Sequence, residues 1–231
     1  MTGSSSLLPV RQAYDRWSAV YDVYDNPMVS AAKDVVTGVA PMAQGRHVLE
    51  LGCGTGRNLV VLSGAGAASV TGCDLSAGML AAARAKAPML SLVSADVAEP
   101  LPFADGAADL VLFCLVLEHV AALGPPLREA RRMLRPGGRV VIVEIHPDLA
   151  AQGVAAHFRD HDEVVHMPTF AHSLKDFAEA AAESGLMVER CRPWRPCDFS
   201  TPHPKMRKRD QNGPFALEMV LEPVASLVGP W

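Results

Sequence analysis

The stretch Val48-Leu49-Glu50-Leu51-Gly52-Cys53-Gly54-Thr55-Gly56-Arg57-Asn58 decides how this chain is read. An aliphatic run passes at Gly52 into a turn where glycine recurs at every second position, and then into a helical pattern. Strand, glycine turn and helix in that order bring main-chain N–H groups and positive φ angles to the edge of a sheet, where a ligand can approach the backbone closely. The dinucleotide fingerprint needs its third glycine five residues after the first, and Arg57 stands there. Glu50, just before the turn, opposes a pyrophosphate and attracts a cation. The turn therefore suits a positively charged ligand better than a phosphate.

Outward from the turn, short apolar runs alternate with helical patterns, as in a parallel sheet covered on both faces. The expected strands are 46–51, 69–74, 90–95, 109–115 and 139–145, followed by 187–194 and 215–222. Between them, helices are expected over 58–65, from an N-cap at Ser76 to before Pro88, and from Pro125-Pro126 along an apolar stripe of Leu127, Ala130 and Leu134 to Pro136-Gly137-Gly138. Another opens at Ser173, with Asp176 three residues on, and stops at Gly185. The expectation is an α/β fold with a doubly wound, mostly parallel, seven-stranded sheet. Residues 9–44 read as helices bearing Tyr14, Trp17, Tyr21 and Tyr24, broken at Asn26-Pro27. Residues 147–172 are polar, rich in histidine and without a clear period, and are expected as an inserted cap. One domain results: helical lid 1–44, core 45–146, cap 147–172, and the rest of the sheet with an acceptor loop in 173–231. Segments 9–30, 147–172 and 195–213 are expected to form one lid over the C-terminal strand ends.

Acidic residues mark those strand ends. Asp74 closes the second strand, where an acid is placed to accept hydrogen bonds from ribose hydroxyls. Asp96 closes the third, within reach of a base edge. A single acid at a strand end is as often a helix cap. Glu50, Asp74 and Asp96 at three successive ends, beside one glycine turn, form a set.

At this point the sequence resembles the class I S-adenosylmethionine-dependent methyltransferases, in particular the small-molecule group similar to ubiquinone/menaquinone C-methyltransferases. The segments VLELGCGTG, VTGCDLSAGML, SADVAEPLPFADGAADLV, LVLEHV and ARRMLRPGGRVVIVE carry the resemblance over residues 46–145, and AYDRWSAVYD looks like that group's lid helix. The resemblance implies S-adenosylmethionine as cofactor. Its methionine portion would lie among Glu50, Asn58 and the turn of Gly52, Cys53, Gly54 and Gly56, beneath Tyr21. Asp74 would hold the ribose, Leu75 and Met79 would sandwich the adenine, and Asp96 with Val97 would read its edge. Cys114 and Leu115 would pass close to the sulfonium. The Asn/Asp-Pro-Pro-Tyr signature of many enzymes that methylate amines of nucleic acids and proteins is absent after Leu110-Val111, which implies a small-molecule acceptor.

Methyl transfer needs a base only when the nucleophile is protonated. The candidates are His146, after the fifth strand, and His119 in LEHV, each weighed against a structural role. His157 and His161 have helical ligand spacing but no partner that makes a metal site, so no metal is expected. Phe158, Met167, Phe170, Trp194 and Phe199 are candidates for an apolar acceptor pocket, against plain packing.

Composition sets the outer bounds. A chain of 231 residues, 49% hydrophobic, supports one substantial core. A net charge of −4 gives no general attraction to nucleic acid or to an anionic membrane, and only Lys205–Arg209 forms a basic run. Five widely spaced cysteines, no secretory h-region and no apolar run of spanning length make a cytoplasmic protein with reduced thiols the expectation. Two other readings stay open: a catalytically silent protein that binds S-adenosylmethionine, and a nucleotide-dependent oxidoreductase, which Arg57 and Glu50 disfavour.

Overall fold

The computed structural model describes residues 4–224, so the outermost ends of the expected lid and C-terminal segments, 1–3 and 225–231, lie outside the described residues. In chain order the elements are β1 (Ser4–Leu7), α1 (Val10–Trp17), α2 (Pro27–Val39), β2 (His47–Leu51), α3 (Arg57–Gly64), β3 (Ser69–Asp74), α4 (Ala77–Lys86), β4 (Ser91–Ser94) and β5 (Ala108–Cys114). After these come α5 (Gly124–Met133), β6 (Leu134–Ile145), α6 (Pro147–Ala150), β7 (His157–Asp160), β8 (Glu163–His166), α7 (Leu174–Glu183), β9 (Leu186–Trp194) and β10 (Ala216–Pro223).

Seven strands form one sheet in the order β4-β3-β2-β5-β6-β10-β9, with β10 antiparallel to both of its neighbours. Helical crossovers impose the parallel pairing of the others, because a parallel strand cannot be reached by a tight turn. The order reverses between β2 and β5, and at such a switch point a crevice opens beyond the C-terminal strand ends. On β5 the side chains alternate between two cores. Val111 and Phe113 pack with Leu127, Met133 and Phe177 on one face, and Leu110 and Leu112 with Val35, Val36 and Val141 on the other. Both sets are fully buried, each side chain contributing about 1.5–3 kcal/mol. The caps follow the local chemistry: Ser76 accepts from Met79 N at 3.1 Å, and Ser173 and Asp176 form a reciprocal capping box. Among the described residues no helix is long and apolar enough to cross a membrane.

The structure departs from the sequence expectations in three places. First, α5 stops at Met133, and Leu134, expected on its apolar stripe, begins β6 and pairs with Ala108. Gly137, at φ +78°, lets Pro136-Gly137-Gly138 pass within the strand's course, beside the register shift at Ala108/Leu110. Second, the expected irregular cap contains the hairpin β7–β8, and β1 adds to it in parallel as a three-stranded sheet, so the lid is not wholly helical. Four-residue strands carry too little periodicity to be read, and β1 finds its partner only across the whole core. His161 sits at the hairpin turn with φ +52°, so it shares no helix face with His157. Third, α2 is a core helix rather than part of the cover, burying Ala31, Ala32, Val35, Val36 and Val39 against the sheet.

Around α1 the cover is held by polar contacts between distant segments. Arg16 pairs with Asp160 and Glu163 of the hairpin, and Tyr24 accepts from Arg159 N at 3.0 Å. Asp25 is bonded by His203 and Lys205 from the loop before β10. Segments 9–30, 147–172 and 195–213 thus meet over one rim of the sheet.

Candidate functional site

Above the ends of β2, β3 and β5 lies a cavity of about 360 Å³. Its floor is the turn between β2 and α3, where three glycines answer two different demands. A Cβ on Gly52 would fall 2.4 Å from Val116 Cγ2, and one on Gly56 would fall 2.8 Å from Leu90 Cδ1, so both are fixed by packing. Gly54, at φ +51°, has nothing within 4 Å of where its Cβ would be. That open space is the cavity, and the backbone there can touch a ligand directly.

Two acids shape the floor. Asp74, at the end of β3, accepts from Gly54 N at 2.7 Å and from Ser76 N at 2.8 Å, so one carboxylate ties the glycine turn to the start of α4. Burial raises its pKa, and these backbone bonds oppose the rise. Glu50 is 1% exposed and accepts from Asn58 Nδ2 at 2.7 Å through one oxygen, while its other oxygen, buried in the cavity wall, has no hydrogen-bond partner among the described residues. Burial pushes its pKa to about 8, against the opposing bond from Asn58. An orphaned carboxylate oxygen is a costly feature for a protein to keep, and a cationic ligand removes the cost. Asp96, beyond β4, accepts from Ala98 N at 2.9 Å and lines the cavity with Val97.

Cys53, Asn58, Leu75, Met79, Cys114 and Leu115 also line this cavity, and Tyr21 closes it from the cover. Of the residues that the resemblance assigns to the cofactor, all but Gly56 line this cavity, and Gly56 lies in the same turn, packed against Leu90 and Ala83. Arg11 and Arg57 are in the wall too, Arg57 lying 5.7 Å from the Tyr21 ring centre. Two latches hold the cover down: Asp15 accepts from Ser76 Oγ at 2.6 Å and Gly78 N at 2.9 Å, and Asp22 accepts from Thr55 Oγ1 at 2.6 Å beside Lys86.

The histidine candidates separate. His119 lines the cavity, with Nε2 at 2.8 Å from the Tyr14 hydroxyl and Nδ1 at 2.9 Å from the Pro168 carbonyl. The carbonyl can only accept, so Nδ1 carries the proton and Tyr14 donates to Nε2. Burial favours this neutral pair, lowering the pKa of His119 and raising that of Tyr14. His146 lines neither this cavity nor its neighbour; its Nδ1 accepts from Asp148 N at 3.2 Å and caps α6. The aromatic candidates divide as well. Phe170 is in the cavity wall, Phe158 stacks on Trp17, and Trp194 and Phe199 pack with Phe215 in the core. Sequence reasoning missed Tyr14 as a site residue, although its place seven residues before Tyr21 in the same aromatic segment was a usable signal. It also missed Glu118, adjacent to His119.

Comparison with known proteins was consistent with this geometry. Residues 49–142 match the family described as "Methyltransferase domain". The chain is 41% identical over 100 residues to a demethylmenaquinone methyltransferase of Beutenbergia cavernae, covering 43% of this chain and 41% of the relative. It is 35% identical over 140 residues to that of Tropheryma whipplei, covering 60% and 57%, and 32% identical over 168 residues to a trans-aconitate 2-methyltransferase of Delftia acidovorans, covering 71% and 60%. The chain thus spans roughly half the length of the curated relatives it matches. Among solved structures, an S-adenosylmethionine-dependent methyltransferase from Mesorhizobium loti superposes with TM-score 0.69 at 23% identity, over 84% of this chain and 99% of that one. The CcbJ methyltransferase from Streptomyces caelestis gives 0.70 at 21%, over 92% and 98%. These structural likenesses establish the fold.

Proposed function

We propose that this chain, which carries a methyltransferase domain of the class I fold, binds S-adenosylmethionine in the first cavity and transfers its methyl group to a small molecule. The observation that carries the reading is the unpartnered oxygen of Glu50 beside the open backbone of Gly54. A buried carboxyl that a neighbouring cation would ionise, in a cradle with no phosphate-binding glycine spacing, matches an ammonium and a sulfonium, and disfavours a pyrophosphate.

In this reading Glu50 and the turn from Gly52 to Gly56 hold the amino-acid portion, Asp74 accepts from the ribose, Leu75 and Met79 flank the adenine, and Asp96 with Val97 meets its edge. Bound there, S-adenosylmethionine supplies a methyl group on a positively charged sulfur that leaves as a neutral thioether and needs no acid. The protein's part is to align the acceptor and exclude water. Tyr14 and Tyr21 do the second, pinned by the latches at Asp15 and Asp22. His119, with both ring nitrogens engaged, positions Tyr14 rather than serving as a free base. The relatives are named for two unlike acceptors, demethylmenaquinone and trans-aconitate, so the acceptor has to be read from this chain itself.

Calorimetry with S-adenosylmethionine, its demethylated product and NAD tests the cofactor assignment. The first two should bind and NAD should not. Binding of NAD alone would sink it, and tight donor binding without labelled product across a broad panel of metabolites would sink the catalytic half.

A further inference from the structure

Tyr14, Tyr21 and Leu115 line both the first cavity and a second one of about 200 Å³, so the two adjoin. Leu115 is held at φ +54°, a backbone conformation that a leucine rarely adopts and that clusters at functional sites. The walls beyond it are Trp17 and Tyr24, whose rings meet edge to face at 5.5 Å between centres. The Trp17 indole N–H is buried and has no acceptor among the described residues. Glu118 lies in the same lining with its side chain 12% exposed, and Lys205 and Arg209 come to it from the loop before β10. The cavity is thus apolar and aromatic along its sides, with one enclosed carboxyl and two cations.

We propose that this second cavity receives the methyl acceptor, and that the acceptor class is an aromatic hydroxy-acid: a flat ring against Trp17 and Tyr24, an anionic group at Lys205 and Arg209, and a hydroxyl directed to Glu118. The proposal rests on the reading that the first cavity holds the methyl donor, since the shared lining of Tyr14, Tyr21 and Leu115 sets the second cavity next to it. An amine in the aromatic walls is the main competitor, and the charges speak against it. Asp25, the acid bordering the cavity near Lys205, is already bonded by both Lys205 and His203. Arg209 has no ion-pair partner among the described residues, so the cationic side is in excess. Glu118 is a poor permanent counter-ion for an ammonium, because burial pushes its carboxyl up and the neighbouring Glu144 repels its charge. The same raised proton affinity makes its ionised form an effective base. In the step, the acceptor's O–H bond breaks and its proton passes to the Glu118 carboxylate. An O–C bond forms to the methyl group as the donor's S–C bond breaks, and that electron pair stays on sulfur. A methyl ether, a thioether and a protonated carboxyl result.

The test uses the full chain saturated with demethylated cofactor, with 4-hydroxybenzoate, salicylate and 1-hydroxy-2-naphthoate as acids, 4-hydroxybenzamide as a neutral analogue and tyramine as the cation. Binding is followed by calorimetry and by quenching of Trp17, compared with Trp17→Phe. At least one acid should bind about tenfold more tightly than the amide. Lys205→Ala/Arg209→Ala, which alters exposed side chains, should erase that preference and leave affinity for the demethylated cofactor intact. Glu118→Gln should keep acid binding and lower methyl transfer on the order of a hundredfold. Preference for tyramine, equal binding of acid and amide, or failure of all three acids while the cofactor binds normally would each overturn the acceptor assignment. Failure of the cofactor itself to bind would instead overturn the reading of the first cavity.

Discussion

The two cavities share a wall but are built in opposite ways. The first is made from consecutive strand ends: Glu50 lies near the end of β2, Asp74 closes β3 and Asp96 follows β4, and the glycine turn lies between the first two. The second is assembled from pieces scattered along the chain, with Trp17 and Tyr24 from the cover, Glu118 from the turn after β5, Ala156 from the cap and Lys205 and Arg209 from the last loop. A parallel sheet delivers its strand ends to one edge whatever the cover does, so a cavity made there is robust and locally encoded. A cavity made by the cover depends on long-range pairs such as Arg16 with Asp160 and Glu163. One scaffold can therefore keep its donor site while its acceptor site varies.

The sharpest way to break the first cavity alone is at Gly54. Gly54→Val places a branched side chain in the open space at φ +51°, where valine is strained as well as obstructive. Affinity for S-adenosylmethionine should fall by at least about a hundredfold, or roughly 2.7 kcal/mol, in calorimetry on protein whose thermal melt shows it folded. Near-normal binding would mean that the turn is structural and the ligand lies elsewhere.

Asp74→Ala comes next. It removes the proposed ribose acceptor and also frees the N–H groups of Gly54 and Ser76. The expected loss is about 1.5–3 kcal/mol of donor affinity, with Asp74→Asn intermediate because its amide oxygen can still accept one of the two backbone bonds. Equal affinities for all three proteins would remove Asp74 from the site.

Glu50 gives a graded, pH-dependent effect. In the free protein its carboxyl titrates at about 8, against an ordinary value of 4.5. A cationic ligand favours the ionised form, so below about pH 8 binding releases a proton, and affinity should rise about tenfold per pH unit toward that value. Glu50→Gln should flatten the dependence. The same shift acts on folding: between pH 4.5 and about 8 the unfolded chain has ionised this group while the folded chain keeps its proton, so stability falls as pH rises through that window. Glu118 and Glu144, raised by burial, act in the same direction. Denaturant titrations of Glu50→Gln across that range should show a shallower decline, and an unchanged slope would mean that Glu50 is ionised in the free protein.

The same contrast explains what the sequence made legible. Strand, turn and cap signals are local, so the core sheet, the Ser76 and Ser173 caps and most of the strand-end lining of the first cavity could be located residue by residue. The strand β1 could not, because Ser4–Leu7 has no apolar alternation and pairs with Glu163–His166 across most of the chain. Tyr14 and Glu118 were hidden for a related reason. Tyr14 looks like one more aromatic on a lid helix until the fold sets its hydroxyl against His119, and Glu118 looks like a solvated charge until Glu144 and the cover enclose it.

His146 marks the boundary of what strand-end logic can deliver, and its removal should have the smallest effect on activity. It follows β6 at the same edge as the acids, which is why sequence reasoning makes it a base, yet its backbone N–H is bonded to the Phe215 carbonyl and its Nδ1 accepts from Asp148 N. The side chain is 7% exposed and borders neither cavity. His146→Ala should leave methyl transfer within about twofold while costing about 0.5–1 kcal/mol of stability through the lost cap of α6. A pH signature accompanies that cost. Burial lowers the pKa of this imidazole, with Asp148 opposing, so the unfolded chain gains a proton here before the folded one as pH falls, and stability is lost below the ordinary histidine value near 6.5. His146→Ala should remove that part of the acid-side slope, and His146→Asn, which can still accept from Asp148 N, should restore most of the stability. A large loss of turnover in a fully folded His146→Ala protein would place the acceptor beyond the end of β6, and would break the division of the site into a donor cavity made by strand ends and an acceptor cavity made by the cover.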